Sequence, residues 1–206
     1  MKKSKSSSRW LTEHENDEFV LRARADGYRS RAVYKLLEID EKYGLLKPGA
    51  SVVDLGAAPG GWTQVAVQRV GPKGLVIGLD ILDVEPITGA LLIKADFTED
   101  ASLKALEAAL GDRQVGLVIS DMAPNLSGMK EIDQPRAIHL MELALAFAIG
   151  VLKPGGSLLM KCFEGAGADA VRAEMRSHFK QLNNIKPKAS RDRSREIYLL
   201  GRHFLD

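Results

Sequence analysis

Four aspartates and a lysine close short apolar runs along this 206-residue chain. They are Asp54 in SVVDL, Asp80 in LVIGLD, Asp96 in ALLIKAD, Asp121 in VGLVISD and Lys161 in GSLLMKCF. Polar residues that end apolar strands sit where an open α/β sheet gathers its ligands, at the carboxyl edge. Four carboxylates at one edge repel a phosphate-rich ligand and suit a cationic or hydroxyl-rich one. Lys161 also has a bland reading, with its stem along the sheet and its head in water.

The first of these aspartates opens DLGAAPGGW, residues 54–62. The loop lacks the dinucleotide spacing G-x-G-x-x-G, and no Gly-Lys-Ser/Thr follows it as in a P-loop. Pro59 has no N–H to give a phosphate. Asp80 lies 19 residues after Gly61, the place where an acidic side chain grips a ribose diol on this topology. A nucleoside cofactor with a ribose, no phosphate and a positive charge fits all of this. S-adenosylmethionine is such a molecule, and the glycines let the backbone close on its methionine end.

DMAPN, residues 121–125, resembles the Asn/Asp-Pro-Pro-aromatic segment of enzymes that methylate exocyclic amines. Met122 and Ala123 interrupt that pattern and Asn125 replaces its aromatic residue, which argues against an amine acceptor. A hydroxyl acceptor needs a base or a charge stabiliser. Lysine titrates too high to be a base at neutral pH unless burial or a second cation lowers it. Lys35, on a helix ahead of the first strand, is a candidate second cation. Glu196, in SREIY, is its counterpart on the last strand. Taken alone, that pair reads as a surface ion pair.

The elements that position these groups alternate. Expected strands are SVVDL, LVIGLD, ALLIKAD, VGLVISD and GSLLMKCF; expected helices cover about 61–70, 99–110, 133–152 and 167–180. Turns fall at GPKG, GD and KPGG. Short, continuous apolar strands between helices predict a doubly wound α/β sheet covered on both faces. NNIKPKAS and REIYLLGRHF have no helix between them and predict a closing antiparallel hairpin, for seven strands in all. Two helices precede the sheet: NDEFVLRARADG, stopped at Gly27, and SRAVYKLLEIDEKYG, with Ser30 as its N-cap and Gly44 as its stop. The expected organisation is one domain. Residues 1–9 form a basic tail, 10–49 a helical RNA-binding extension and 50–206 the catalytic core.

The net charge of +2 is laid out unevenly. Residues 1–35 hold nine basic and five acidic side chains, 36–171 eleven and eighteen, and 172–205 nine and three. Basic ends around an acidic middle suggest a polyanion partner if the fold brings the ends together. The single cysteine, Cys162, forbids an internal disulfide and suits a reducing cytosol. MKKSKSSSRW leads into no apolar stretch, so it is no secretory signal. AIHLMELALAFAIGVL is too short and too polar to span a membrane. A chain of this size needs no metal to fold. The expected setting is cytoplasmic, with no membrane and no metal, and a monomer for want of an obvious dimerisation segment.

The chain resembles the FtsJ family of ribosomal RNA ribose 2′-O-methyltransferases over nearly its full length. The matching segments are SSSRWL with Glu13 and His14, RSRAVYKLLEID, VVDLGAAPGGW, SDMAPNLSG with D-x-PRA, KPGGSLLMK and SREIY. The resemblance implies a Rossmann-like class I fold and S-adenosylmethionine as cofactor. It implies methylation of a uridine 2′-hydroxyl in large-subunit ribosomal RNA, on the assembled subunit. The family's Lys-Asp-Lys-Glu tetrad falls on Lys35, Asp121, Lys161 and Glu196. Its cofactor contacts fall on Gly56, Gly60, Gly61, Trp62, Asp80, Asp96 and Asp121. Arg22, Arg24, Arg29 and Arg31 at one end, and Arg191, Arg193 and Arg195 at the other, are the expected RNA phosphate contacts. Trp10 and Tyr28 could stack on a base or serve in packing.

Three rivals remain at this point. A carbon-5 pyrimidine methyltransferase would need Cys162 as nucleophile, yet Cys162 follows Lys161 on a strand and should face the other way. A non-catalytic RNA-binding assembly factor would use the same basic ends and pocket. A related 2′-O-methyltransferase could act on transfer RNA or a messenger cap.

Overall fold

The structure is a computed structural model, and it describes residues 17–125, 127–191 and 194–205. The 1–9 tail, Trp10, Glu13, His14 and Arg193 lie outside the described residues.

Two helices come first, α1 (Glu18–Ala25) and α2 (Val33–Tyr43). Then follow β1 (Ser51–Leu55), α3 (Gly61–Val70), β2 (Leu75–Asp80), β3 (Ala90–Lys94), α4 (Asp100–Leu110) and β4 (Val115–Ser120). The chain continues through α5 (Lys130–Val151), β5 (Leu152–Phe163), α6 (Ala168–His178), β6 (Phe179–Ile185) and β7 (Glu196–Phe204). All seven strands form one sheet in the order β3-β2-β1-β4-β5-β7-β6. β1 to β5 are parallel; β7 runs antiparallel between β5 and β6. Strand order reverses between β1 and β4, which opens a crevice at their carboxyl ends.

Alternate residues of each strand feed two cores. Val52, Leu117, Ile119, Leu159, Tyr198 and Leu200 pack with α2 and α3 on one face. Val53, Val118, Leu158, Met160, Cys162 and Leu199 pack with α4, α5 and α6 on the other. Covering both faces explains why the strands read as unbroken apolar runs.

Four boundaries differ from expectation. Ala32, not Ser30, precedes α2; the Ser30 carbonyl accepts from Val33 N–H and its hydroxyl abuts Gly61. α5 starts at Lys130 and carries Pro135 within it. Asp133 explains that early start: its carboxylate accepts from the N–H and hydroxyl of Ser127 and from Gly128 N–H, folding the preceding loop onto the helix. β5 begins at Leu152, so KPGG is an irregular stretch of strand, where the register against β4 shifts between Val115 and Leu117. α6 stops at His178, and the strand that follows covers Phe179–Ile185 instead of starting at Asn183. Gly201 permits this hairpin, because a Cβ there would lie 2.7 Å from the Phe179 ring.

Candidate active site

Lys161 sits two residues before the end of β5, on the face opposite Cys162. Its register partner in β7 is Tyr198, and Phe163 is partnered by Glu196. Period-two alternation therefore puts Lys161, Tyr198 and Glu196 on one side of the sheet. Asp121 follows β4, next to β5. Lys35 comes from α2, which packs on the same face.

These side chains form a continuous chain of contacts. Lys161 Nζ lies 2.7 Å from Asp121 Oδ1 and donates to the Asp121 carbonyl at 3.0 Å. Tyr198 OH donates to the same Asp121 Oδ1 at 2.5 Å. Lys35 Nζ donates to Tyr198 OH at 3.3 Å and to Glu196 Oε1 at 2.6 Å. All five are largely shielded from water: the Lys161 side chain is 9% exposed and Asp121 19%. Tyr198 is fully buried, which together with Asp121 and Glu196 raises its pKa well above 10. Burial opposes the charge of Glu196, but Lys35 and then Lys161 hold its carboxyl below the usual range. Sequence reasoning brought forward four of the five. Tyr198 was missed, though its spacing of two from Glu196 on a strand places it beside that residue.

Two cavities meet this cluster. The larger, about 550 Å³, lies at the β1/β4 crevice and is lined by Gly56, Asp80, Asp96 and Asp121 among the expected residues. It has no lysine in its wall; Arg136 and His139 of α5, which sequence reasoning did not assign to the site, also line it. Gly56 has φ +79, and a Cβ there would lie 2.7 Å from the Met122 side chain, so glycine keeps this wall open. Asp80 accepts from Ala58 N–H and Leu82 N–H, one on each oxygen, and each oxygen keeps a free lone pair. Hydrogen bonds from the Thr98 hydroxyl and N–H hold the Asp96 carboxyl below its usual range. Such a wall suits hydroxyls and positive charge. It fits S-adenosylmethionine, which carries both.

The other expected cofactor residues stand behind this wall. Gly60, Gly61 and Trp62 do not line the cavity. Trp62 is buried, its indole N–H donating to the Ala32 carbonyl at 2.8 Å and its ring 5.6 Å from that of Tyr198. Gly60 and Gly61 are approached by Arg29 and Ser30. Asp54 lies within β1 rather than at its end; it is fully buried, and Thr63 donates to its Oδ2 at 2.6 Å.

The second cavity, about 380 Å³, is lined by Arg31, Lys35, Arg191, Ser194 and Glu196 among others. It shows that the two basic ends do meet. Not every expected arginine offers it a free charge. Arg31 pairs with Asp17 and donates to the Ala189 carbonyl, so its charge is spent within the protein. The Arg29 guanidinium donates to backbone carbonyls of neighbouring loops. Arg22 pairs with Asp26 and lies over the Tyr34 ring. Arg24 and Arg195 are exposed. Tyr28 packs edge-on to Tyr34. Cys162 is fully buried in the opposite core, and burial pushes its thiol up to about 11. A thiol so placed reaches neither cavity.

A seven-stranded sheet with β7 inserted antiparallel, and an acidic cavity at its reversal point, define a Rossmann-like class I methyltransferase. Residues 28–204 match the FtsJ-like methyltransferase family, and the chain belongs to that family. It is 56% identical over 201 residues to the ribosomal RNA large subunit methyltransferase E of Methylobacillus flagellatus, covering 98% of this chain and 97% of the relative. The protein of the same description from Azoarcus sp. is 57% identical over 201 residues, covering 98% of each chain. A crystal structure described as a ribosomal RNA methyltransferase from Plasmodium falciparum superposes with a TM-score of 0.76 at 30% identity, covering 86% of this chain and 99% of that one. No helix among the described residues is long and apolar enough to cross a membrane.

Proposed function

We propose that this methyltransferase methylates a uridine ribose 2′-hydroxyl in large-subunit ribosomal RNA, on the assembled subunit, as a cytoplasmic monomer. One observation carries the reading. The contact chain Lys161–Asp121–Tyr198–Lys35–Glu196 joins the floor of an acidic cavity to the floor of a basic one. The names of the relatives, which specify ribosomal RNA, support the substrate class.

S-adenosylmethionine, when bound, supplies a methyl group activated by positive sulfur. Gly56, Asp80, Asp96 and Asp121 would hold it in the larger cavity. The smaller cavity takes the acceptor nucleotide, with Arg191 beside its phosphate. Glu196 and Lys35 orient the ribose hydroxyls from the cavity floor. Lys161 Nζ holds or removes the 2′-hydroxyl proton, and Asp121 keeps that nitrogen aimed. Tyr198 donates to the same Oδ1 of Asp121 that Lys161 meets, so that a shift of one member is felt by all. Groups linked this closely titrate as a cluster, and the proton acceptor is then a property of the set.

The test uses methyl-labelled S-adenosylmethionine and large subunits from cells lacking the enzyme, followed by alkaline digestion. Alkali cuts RNA through the 2′-hydroxyl, so a methylated ribose leaves a labelled, uncut dinucleotide. Lys161→Ala is expected to lose that label by about 10²–10⁴-fold in rate, the usual share of a positioned proton-transfer group. Label in mononucleotides would mean base methylation and would overturn the reading.

A further inference from the structure

Arg29 lies between α1 and α2 and touches neither cavity. Its guanidinium nonetheless makes three hydrogen bonds to one neighbourhood. Nη1 donates to the Glu85 carbonyl at 2.6 Å and the Pro59 carbonyl at 3.3 Å, and Nη2 donates to the Pro86 carbonyl at 2.9 Å. The Arg29 N–H donates to Gln64 Oε1 at 3.0 Å, and Gln64 Nε2 donates back to the Gly27 carbonyl at 3.3 Å. Pro59 belongs to the loop after β1; Glu85 and Pro86 belong to the loop after β2.

Both loops contribute to the wall of the larger cavity, one through Gly56 and Ala58 and the other through Ile81 and Leu82. Asp80 ties them together from inside, accepting from Ala58 and Leu82. Arg29 ties them from outside. Gly60 leaves room for this: a Cβ there would lie 2.8 Å from Arg29 Nη1 and 2.8 Å from Ile87 Cδ1. No carboxylate pairs with the guanidinium among the described residues. Its planar fork instead meets three carbonyls from two loops, a geometry that a single ammonium cannot copy.

We propose that Arg29 is a positioning residue of the cofactor pocket, holding the loops after β1 and β2 at their working separation and fastening them to the N-terminal segment. The inference rests on the reading that the larger cavity holds S-adenosylmethionine. Loops held in place beforehand need not be ordered when the ligand arrives, so affinity is gained without a direct contact. Removing Arg29 moves that ordering cost into binding. The chemical step, once the pocket is filled, is unaffected, so KM for the cofactor rises while kcat holds. The charge pattern of the chain suggested a different role for Arg29, as one of several RNA phosphate contacts. The two roles differ in what they change.

The experiment is calorimetric titration with S-adenosylhomocysteine of the parent chain, Arg29→Ala and Arg29→Lys, with RNA affinity measured across salt concentrations for each. Arg29→Ala is expected to weaken S-adenosylhomocysteine about ten-fold or more, the equivalent of one charge-assisted hydrogen bond. Its RNA salt slope should match that of the parent. Arg29→Lys, which keeps the charge, should show an intermediate loss and serves as the reading if the alanine variant does not fold. Unchanged S-adenosylhomocysteine affinity in both variants would overturn the proposal. A salt slope flattened by about one, with ligand affinity intact, would make Arg29 a phosphate contact instead. A parent chain that does not bind S-adenosylhomocysteine would remove the reading of the pocket, and this inference with it.

Discussion

Asp54 gives the most direct test of the electrostatics under the glycine loop. Its carboxyl is fully buried in β1, takes one hydrogen bond from Thr63 and leaves Oδ1 without a partner. Burial pushes its pKa from 3.8 to about 7; Thr63 opposes the push, and the charges of Asp121 and Asp80 add to it. Between those values the folded chain keeps a proton that the unfolded chain has released. Stability from this group is therefore complete below pH 3.8 and is lost as pH rises through about 7. The loss runs at about 1.4 kcal/mol per pH unit and totals about 4 kcal/mol. Asp54→Asn keeps an acceptor for Thr63 and abolishes the titration. The amide N–H₂ meets the same partnerless surroundings, at a cost of about 1–3 kcal/mol that does not vary with pH. The variant should thus be less stable than the parent near about pH 4.5 and more stable near about pH 8. At about 2–4 °C per kcal/mol for a chain of this length, the difference in Tm should swing by up to about 10 °C over that range. Thermal melts of both proteins followed by circular dichroism, in matched buffers, read it directly. A Tm difference that stays constant with pH would refute the reasoning, because it would mean that Asp54 titrates alike in the folded and unfolded chains.

The Lys35–Glu196 pair should behave as a buried pair, not as surface decoration. Glu196→Gln leaves the Lys35 ammonium shielded and uncompensated, and is expected to destabilise the chain by about 3 kcal/mol, whereas Lys35→Met with Glu196→Gln should recover most of that. Urea melts of the two single variants and the double variant form the cycle, and additive losses would contradict it. Cys162→Ala should retain methyl transfer at near the parent rate, since the thiol faces the core opposite Lys161. Its cost should appear in Tm alone, as about 1 kcal/mol for the small cavity left behind. Loss of transfer with an unchanged melt would restore the thiol as a nucleophile.

The sheet was legible because its strands are short apolar runs bounded by turn signals, and every parallel strand except β2 leads into a helix. What the sequence hid is mostly non-local. Lys35 and Glu196 are 161 residues apart, and no local pattern says that α2 lies over β7. The two emerged as partners through family resemblance, and the ion pair itself needed the fold. Tyr198 stands in SREIY two places after Glu196, but only the strand period says that the two share a face. Arg29 and Arg31 read as free charge because composition counts charges without their neighbours; the loops that occupy them lie far along the chain. α5 begins three residues sooner than expected because Asp133 gathers the loop before it, a contact between side chain and loop that periodicity does not show. Gly60, Gly61 and Trp62 sit in the right loop but turn toward the N-terminal segment, a distinction that spacing does not encode.

The insertion of β7 between β5 and β6 has a consequence for how the protein comes into being. β6 is made before β7, yet it reaches the sheet only through β7. Until that last strand arrives, β5 presents an open edge, a template for pairing with another chain. Glu196 and Tyr198 arrive with the same strand, and a slip of one residue would turn both toward the opposite core. Completion of the proposed site and protection from aggregation thus come with one late event. A ribosome-released chain that stalls short of β7 would be both inactive and adhesive, and quality control needs to recognise only one defect.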